Sequence, residues 1–272
     1  MKKLLASLLA VTLLAGCGAQ GSDEAADKTI TVGASTTPHA EILKEIQPTL
    51  EEQGYELKII EFTDYVKPNQ SLVAGELDAN FFQHKPYMVE WAEKNDATDQ
   101  ITDVLSVHFE PMGIYTTKHT SLDELGKGMK ISIPNDPTNG GRALRLLADN
   151  GIIKLSKDEG IDVTKNDIVK NDLNIEIIEM NAETCAVTID DVDYSVLNGN
   201  NALVNKLDKN VLVTEDKESD AAKTYGNVIA IRPELKDEDK IKALLDALNS
   251  EEVSTFIEET YDGIVVPLVP AK

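Results

Sequence analysis

Lys130-Ile131-Ser132-Ile133-Pro134-Asn135-Asp136-Pro137-Thr138-Asn139-Gly140-Gly141-Arg142 joins a strand, a turn and a helix start in one short run. KISI alternates β-branched residues with polar ones and reads as a strand. Asn135 to Thr138 is turn chemistry around a proline. A helix follows from Asn139 to Asn150, with Leu144, Leu147 and Ala148 on one side and Gly151 to stop it. A strand that passes through a short turn into an amphipathic helix is half of a βαβ unit.

The same alternation runs outward in both directions. Towards the N-terminus, Thr29–Ala34 reads as a strand, and Thr37-Pro38 as an N-cap followed by proline at the first helical position. Ile42, Leu43, Ile46 and Leu50 stripe the next helix. Strands are expected at Leu57–Phe62, Leu77–Phe81 and Val104–His108, with helices at Asn69–Ala74 and Pro86–Lys94. Towards the C-terminus, Ile175–Ile178, Val192–Leu197 and Asn227–Ile231 read as strands. Helices are expected at Gly199–Leu207, Asp237–Leu248 and Ser250–Thr260. The class is α/β, with a mostly parallel sheet of right-handed units. Pattern alone fits two lobes, with crossovers near Glu110–Thr117 and Thr224–Ile231, as well as one continuous doubly wound domain.

The N-terminus is a targeting segment. Lys2 and Lys3 precede an apolar run from Leu4 to Leu14, which closes on Leu14-Ala15-Gly16-Cys17. That is an export signal over residues 1–16, too short to span a bilayer core, which takes roughly 20 apolar residues. The Cys at the cleavage position resembles a bacterial lipobox, with Cys17 lipidated and residues 17–28 a polar tether. The anchor would hold the chain on the extracytoplasmic face of the cell membrane. Formal net charge is −22, and losing Lys2 and Lys3 with the signal makes it −24. Such a chain is repelled by nucleic acid. The only other cysteine is Cys185, so a lipidated Cys17 leaves no intrachain disulfide, and Cys185 is expected as a small buried apolar group.

The sequence carries no G-x-S-x-G, no H-E-x-x-H and no Walker A loop, so no catalytic residue is assigned. His39, His84, His108 and His119 are widely spaced in differing contexts. No metal site and no cofactor are expected, and a metal-capture lipoprotein of an importer stands as the alternative. The informative polar clusters lie at strand ends, where open α/β sheets hold ligands. In the first, a glycine-opened helix start carries Arg142, suited to clamping a carboxylate or phosphate; a capped helix with a surface arginine fits the same letters. The second is Asp78 to Tyr87, with Phe82, His84 and Tyr87 beside Tyr65, and these read equally as core aromatics. The third is Leu197-Asn198-Gly199-Asn200-Asn201, a ligand-facing amide group or an ordinary turn.

Taken together, TPHAEIL, FTDYVKPN, GELDANFFQHKPYM, VHFEPMGIY, IPNDPTNGGRAL and DDVDYSVLNGNNAL resemble the NlpA family of methionine-binding lipoproteins in order and spacing. The resemblance implies a two-lobed periplasmic-binding-protein fold with the ligand in the cleft between lobes. It implies capture of L-methionine and delivery to the membrane subunits of an ABC importer, leaving D-methionine, a related small amino acid or a dipeptide open. The lobes would be residues 29–114 with 227–272, and residues 115–226. Carried over by motif, Arg142, Asn198 and Asn227 would hold the amino-acid head group. Tyr65, Phe82, His84 and Tyr87 would surround the thioether. The chain departs from the pattern at Asn201, where an aromatic is usual, and at Glu183-Thr184-Cys185-Ala186.

Overall fold

The computed structural model describes residues 28–156, 163–218 and 223–270. The signal segment and Cys17 lie outside the described residues. In chain order the strands are β1 Thr29–Ser35, β2 Glu56–Phe62, β3 Ala79–His84, β4 Thr102–Phe109, β5 Gly113–Tyr115, β6 Lys130–Pro134, β7 Lys154–Leu155, β8 Ile168–Lys170, β9 Glu176–Met180, β10 Tyr194–Leu197, β11 Val211–Thr214, β12 Gly226–Ile231 and β13 Val266–Pro267. The principal helices on the way are α1 His39–Glu45, α2 Gln47–Glu52, α3 Lys67–Val73, α4 Lys85–Lys94, α5 Pro137–Asp149, α6 Ala182–Val187 and α7 Gly199–Val204, with Asp239–Leu248 and Glu251–Tyr261 near the C-terminus.

Two sheets result. The first has the order β13-β4-β12-β3-β1-β2 and the second β11-β5-β10-β6-β9. The chain crosses from the first to the second between Phe109 and Gly113 and returns between Thr214 and Gly226. Neither sheet is mostly parallel, which corrects the sequence expectation. β1 runs parallel to β2 and β3, but β12 is inserted antiparallel between β3 and β4. In the second sheet β6 is parallel to β9 and β10, while β5 is antiparallel to β10 and β11. The physical reason is connectivity: each antiparallel strand next to a crossover arrives from the other sheet, so no βα unit fixes its direction.

The central strands are buried on both faces. Every residue of β3 and β12 is buried, as expected when helices cover both sides. On one face Val32, Phe81 and Ile229 pack with Leu43 of α1 and with Leu244 and Ile257 of the C-terminal helices. On the other, Leu72 of α3 meets Phe82, Met88 and Trp91. Truncating a fully buried leucine such as Leu43 to alanine costs about 2–5 kcal/mol. Ile131, Ile133, Leu144, Leu147, Tyr194 and Val196 form the core of the second lobe. Cys185 is buried there, and burial pushes its thiol up to about 12, the inert small apolar group expected.

Two helix starts differ from the sequence reading. Pro38 is itself the cap residue of α1, and its peptide bond with Thr37 is cis. At α5 the helix begins at Pro137, not Asn139. Asp136 caps it by accepting from the Asn139 amide at 2.9 Å, so the orphan donors at this terminus are partly used internally.

Candidate functional site

The ends of β3, β4 and β12 on one lobe face the starts of α5 and α7 on the other, and between them lies a small, tightly lined cavity. Its walls are Tyr65, Phe82, His84, Tyr87, Arg142, Asn198 and Asn227, the seven residues singled out from the sequence, together with Gln83, Glu110, Asn139 and Asn200.

One end is aromatic. Tyr65 stands after β2, with its ring 6.0 Å from Phe82 and 5.9 Å from Tyr87. The Tyr87 hydroxyl donates to the Tyr65 carbonyl at 2.9 Å, which ties α4 to that loop. Beneath them, Asn69, Asn80 and Gln83 form a buried amide cluster. Asn69 donates to Gln83 at 2.8 Å, while Asn80 and Gln83 both donate to Asn69 Oδ1, at 2.9 and 2.7 Å. A satisfied buried network of this kind fixes α3 against β3.

The other end is polar, and its hydrogen bonds set the direction of each group. His84 caps α4: its Nδ1 accepts from the Tyr87 amide at 3.1 Å, so the ring proton is on Nε2 and is donated to Asn139 Oδ1 at 3.0 Å. Asn139 Oδ1 also accepts from Asn198 Nδ2 at 2.8 Å. That leaves Asn198 Oδ1 buried with no partner, an acceptor at the cavity wall. Burial foremost, with the Arg142 charge, lowers His84 to about 4 and keeps it neutral.

Asn227, on β12, has the opposite polarity. Its Oδ1 lies 3.0 Å from His39 Nε2, which is also 3.5 Å from the acceptor-only carboxylate of Glu110. The proton is therefore on His39 Nε2 and the Asn227 oxygen accepts it, which leaves the amide NH2 of Asn227 as a donor. Arg142, on α5, is 3 % exposed. Its Nε donates to Glu215 Oε1 at 2.7 Å, and its Nη2 to Glu215 Oε2 at 2.5 Å and to the Glu110 carbonyl at 2.7 Å. Only Nη1 remains for a ligand. The guanidinium also lies 4.3 Å over the Tyr225 ring.

Gly140 at α5 serves packing. A Cβ there would sit 2.8 Å from the Pro134 carbonyl, so this glycine seats the helix on the preceding strand. Gly199 does the same at α7, where a Cβ would meet the Glu110 side chain at 3.0 Å. That close approach lets the Asn200 amide donate to Glu110 Oε2 at 2.6 Å.

The histidines are not all scattered, as their spacing suggested. His39 and His108 lie with ring centroids 4.9 Å apart beside Glu110, and ligand atoms of the three fall within 4.8 Å of one another. The end of β4 brings His108 and Glu110 up to His39, the first residue of α1. Their Nε2 positions are occupied as donors, His108 to Glu110 Oε1 at 2.8 Å and His39 to Asn227. His84 lines the cavity, while His119 stacks on Tyr194.

Glu110, Asn139 and Glu215 carry no assigned role in the sequence reading. Glu110 and Asn139 stand inside quoted motifs, and Asn200 belongs to the amide cluster after β10 read as ligand-facing or as a turn. Glu215 follows β11 with no local signal.

An α/β fold of two lobes around a cavity with one polar and one aromatic end defines the substrate-binding protein class. Residues 30–269 match the model of the NlpA lipoprotein family, and the chain belongs to that family. It is 41 % identical over 275 residues to the methionine-binding lipoprotein MetQ of Bacillus subtilis, spanning 98 % of this chain and 99 % of that one. It is 32 % identical to the D-methionine-binding lipoprotein MetQ of Escherichia coli K12, spanning 94 % and 93 %. Among solved structures, a nutrient-binding protein from Burkholderia cenocepacia bound to methionine superposes with a TM-score of 0.81 at 36 % identity, covering 88 % of this chain and 99 % of that one. A periplasmic substrate-binding protein of an ABC transporter from Coxiella burnetii superposes with a TM-score of 0.80 at 32 % identity, covering 88 % and 99 %.

Proposed function

We propose that this chain captures methionine in the cleft between its lobes and delivers it to the membrane subunits of an ABC importer, with no chemistry of its own. The observation that carries the reading is the polarity of the cavity. A buried acceptor without a partner, Asn198 Oδ1, stands with two free donors, Arg142 Nη1 and the Asn227 amide, opposite the aromatic end. A zwitterion supplies the complement: its ammonium to Asn198 and its carboxylate to Arg142 and Asn227. The thioether then lies among Tyr65, Phe82, His84 and Tyr87, where sulfur against aromatic edges is favourable. The lobes are proposed near residues 29–114 with 227–272 and residues 115–226, the sheet order moving Gly113 and Ile114 to the second lobe and Gly226 to the first, and the family supports lipid anchoring through Cys17 on the extracytoplasmic face.

Calorimetry on protein unfolded and refolded to strip carried ligand tests this. L-methionine binding at one site per chain is expected, with weak or no binding of leucine, glutamate and glycine. Methionine failing to bind while another amino acid does would replace the proposal.

A further inference from the structure

Tyr65 belongs to the first lobe, yet its hydroxyl is held by the second. It donates to Asn200 Oδ1 at 2.6 Å and accepts from Asn201 Nδ2 at 3.0 Å. A phenolic hydroxyl has one proton to give and lone pairs to fill. The two amides are complementary to it, one taking and one giving, and both are buried at the start of α7. Asn200 is itself held, since its backbone amide donates to Glu110 Oε2. Tyr65 is held from behind by the Tyr87 hydroxyl on its carbonyl.

This junction is also a partition. Tyr65 and Asn200 line the ligand cavity on one side, and both line a second, outer cavity on the other. Asn201 lines the outer cavity only, together with Phe62, Val187 and Val204. Asn201 thus stands outside the ligand cavity and acts on it through Tyr65.

We propose that Asn201, with Asn200, latches Tyr65 across the cleft, closes the ligand cavity off from the outer cavity, and so sets the rate at which bound ligand leaves. The inference rests on methionine binding in the cleft. The ligand escapes only when the lobes part, and these hydrogen bonds exist only while they are together. Breaking them therefore acts on dissociation, whereas encounter with the open form does not involve them.

Stopped-flow kinetics on refolded protein measures both rates with methionine as the probe, read by the fluorescence of Trp91, which packs in one cluster with Tyr65 and Tyr87. Asn201→Ala is expected to raise the dissociation rate about 3–10-fold, the worth of a neutral hydrogen bond, with the association rate within about twofold. Tyr65→Phe keeps the ring, removes both bonds and should do at least as much. The double variant should exceed Tyr65→Phe by less than about twofold, because the Asn201 bond is already gone. Dissociation rates of both single variants within about twofold of wild type would overturn the latch, as would a loss carried entirely by association. Failure of the wild-type protein to bind methionine would instead sink the functional reading, and this inference with it.

Discussion

Arg142 and Glu215 form a two-pronged ion pair, Nε to Oε1 at 2.7 Å and Nη2 to Oε2 at 2.5 Å, across 73 residues of sequence. The arginine that a carboxylate ligand would seek is thus already neutralised by the protein. Glu215 also accepts from the Met112 amide at 2.9 Å, so the acid is itself fixed to the crossover between lobes. The pair orients the guanidinium and leaves Nη1 free. It also removes the net positive charge that would attract anions lacking an ammonium.

Arg142→Ala is therefore expected to do two separable things. Methionine binding falls at least ~10-fold, since a hydrogen bond to a charged group contributes about 1.5–3 kcal/mol. Stability falls as well, because Glu215 keeps a mostly buried charge without its partner. The double variant Arg142→Ala/Glu215→Gln should recover much of the stability and none of the affinity. Urea denaturation beside calorimetry checks both; a double variant as unstable as the single would show that the pair's charge is not the cause.

Acid should weaken the fold in a defined window. Burial lowers His39 to about 4, with His108 adding to the fall while Glu110 and Asn227 oppose it, and His84 is likewise lowered to about 4. An unfolded histidine titrates near 6.5, so between about 6.5 and 4 the unfolded chain binds more protons. Stability is then full above 6.5 and is lost as pH falls towards 4, by on the order of 3 kcal/mol for each ring. Urea midpoints measured between pH 7.5 and 4.5 should fall accordingly, and His84→Gln should flatten part of that slope. A slope unchanged in this variant would mean that His84 does not carry it.

Membrane attachment should depend on one sulfur. Among the described residues no helix is long and apolar enough to cross a membrane, and the proposed anchor is a lipid on Cys17. Cys17→Ser is expected to move the protein into the soluble fraction with its unfolding midpoint unchanged. A variant still sedimenting with membranes in high salt would place the anchor elsewhere.

What the sequence made legible follows from the range of each interaction. β1 and α1 could be read because Ile30, Val32, Ile42 and Leu43 repeat with the periods of a strand and a helix. The Arg142 turn could be read because cap, proline and glycine lie within a few residues of one another. The direction of β12 could not, because Gly226–Ile231 has the same alternation whether it runs with or against β3. Glu215 was silent for a related reason: it is one acid among many, and only the return crossover brings it to Arg142. The pairing of His39 with Asn227 spans 188 residues and fixes which end of that amide faces the cavity, a fact about geometry that no motif encodes.

The two cavity amides make the sharpest test, because their opposite polarity predicts opposite ligand dependence. Asn198 presents an unpartnered oxygen, while Asn227 has its oxygen bound to His39 and presents its NH2. The ammonium should therefore pair with Asn198 and the carboxylate with Asn227. A methionine analogue lacking the amino group, 4-(methylthio)butanoate, leaves Asn198 Oδ1 unpaired in a closed site and should bind at least ~10-fold more weakly than methionine. Asn198→Ala should then weaken methionine binding by a similar factor yet change binding of the analogue by less than about threefold. Asn227→Ala should weaken both ligands alike, because both keep the carboxylate. Calorimetry on the four combinations forms a cycle in which coupling is expected for Asn198 with the amino group and not for Asn227. Equal coupling at both positions, or coupling at Asn227 alone, would mean that the head group lies reversed in the cleft.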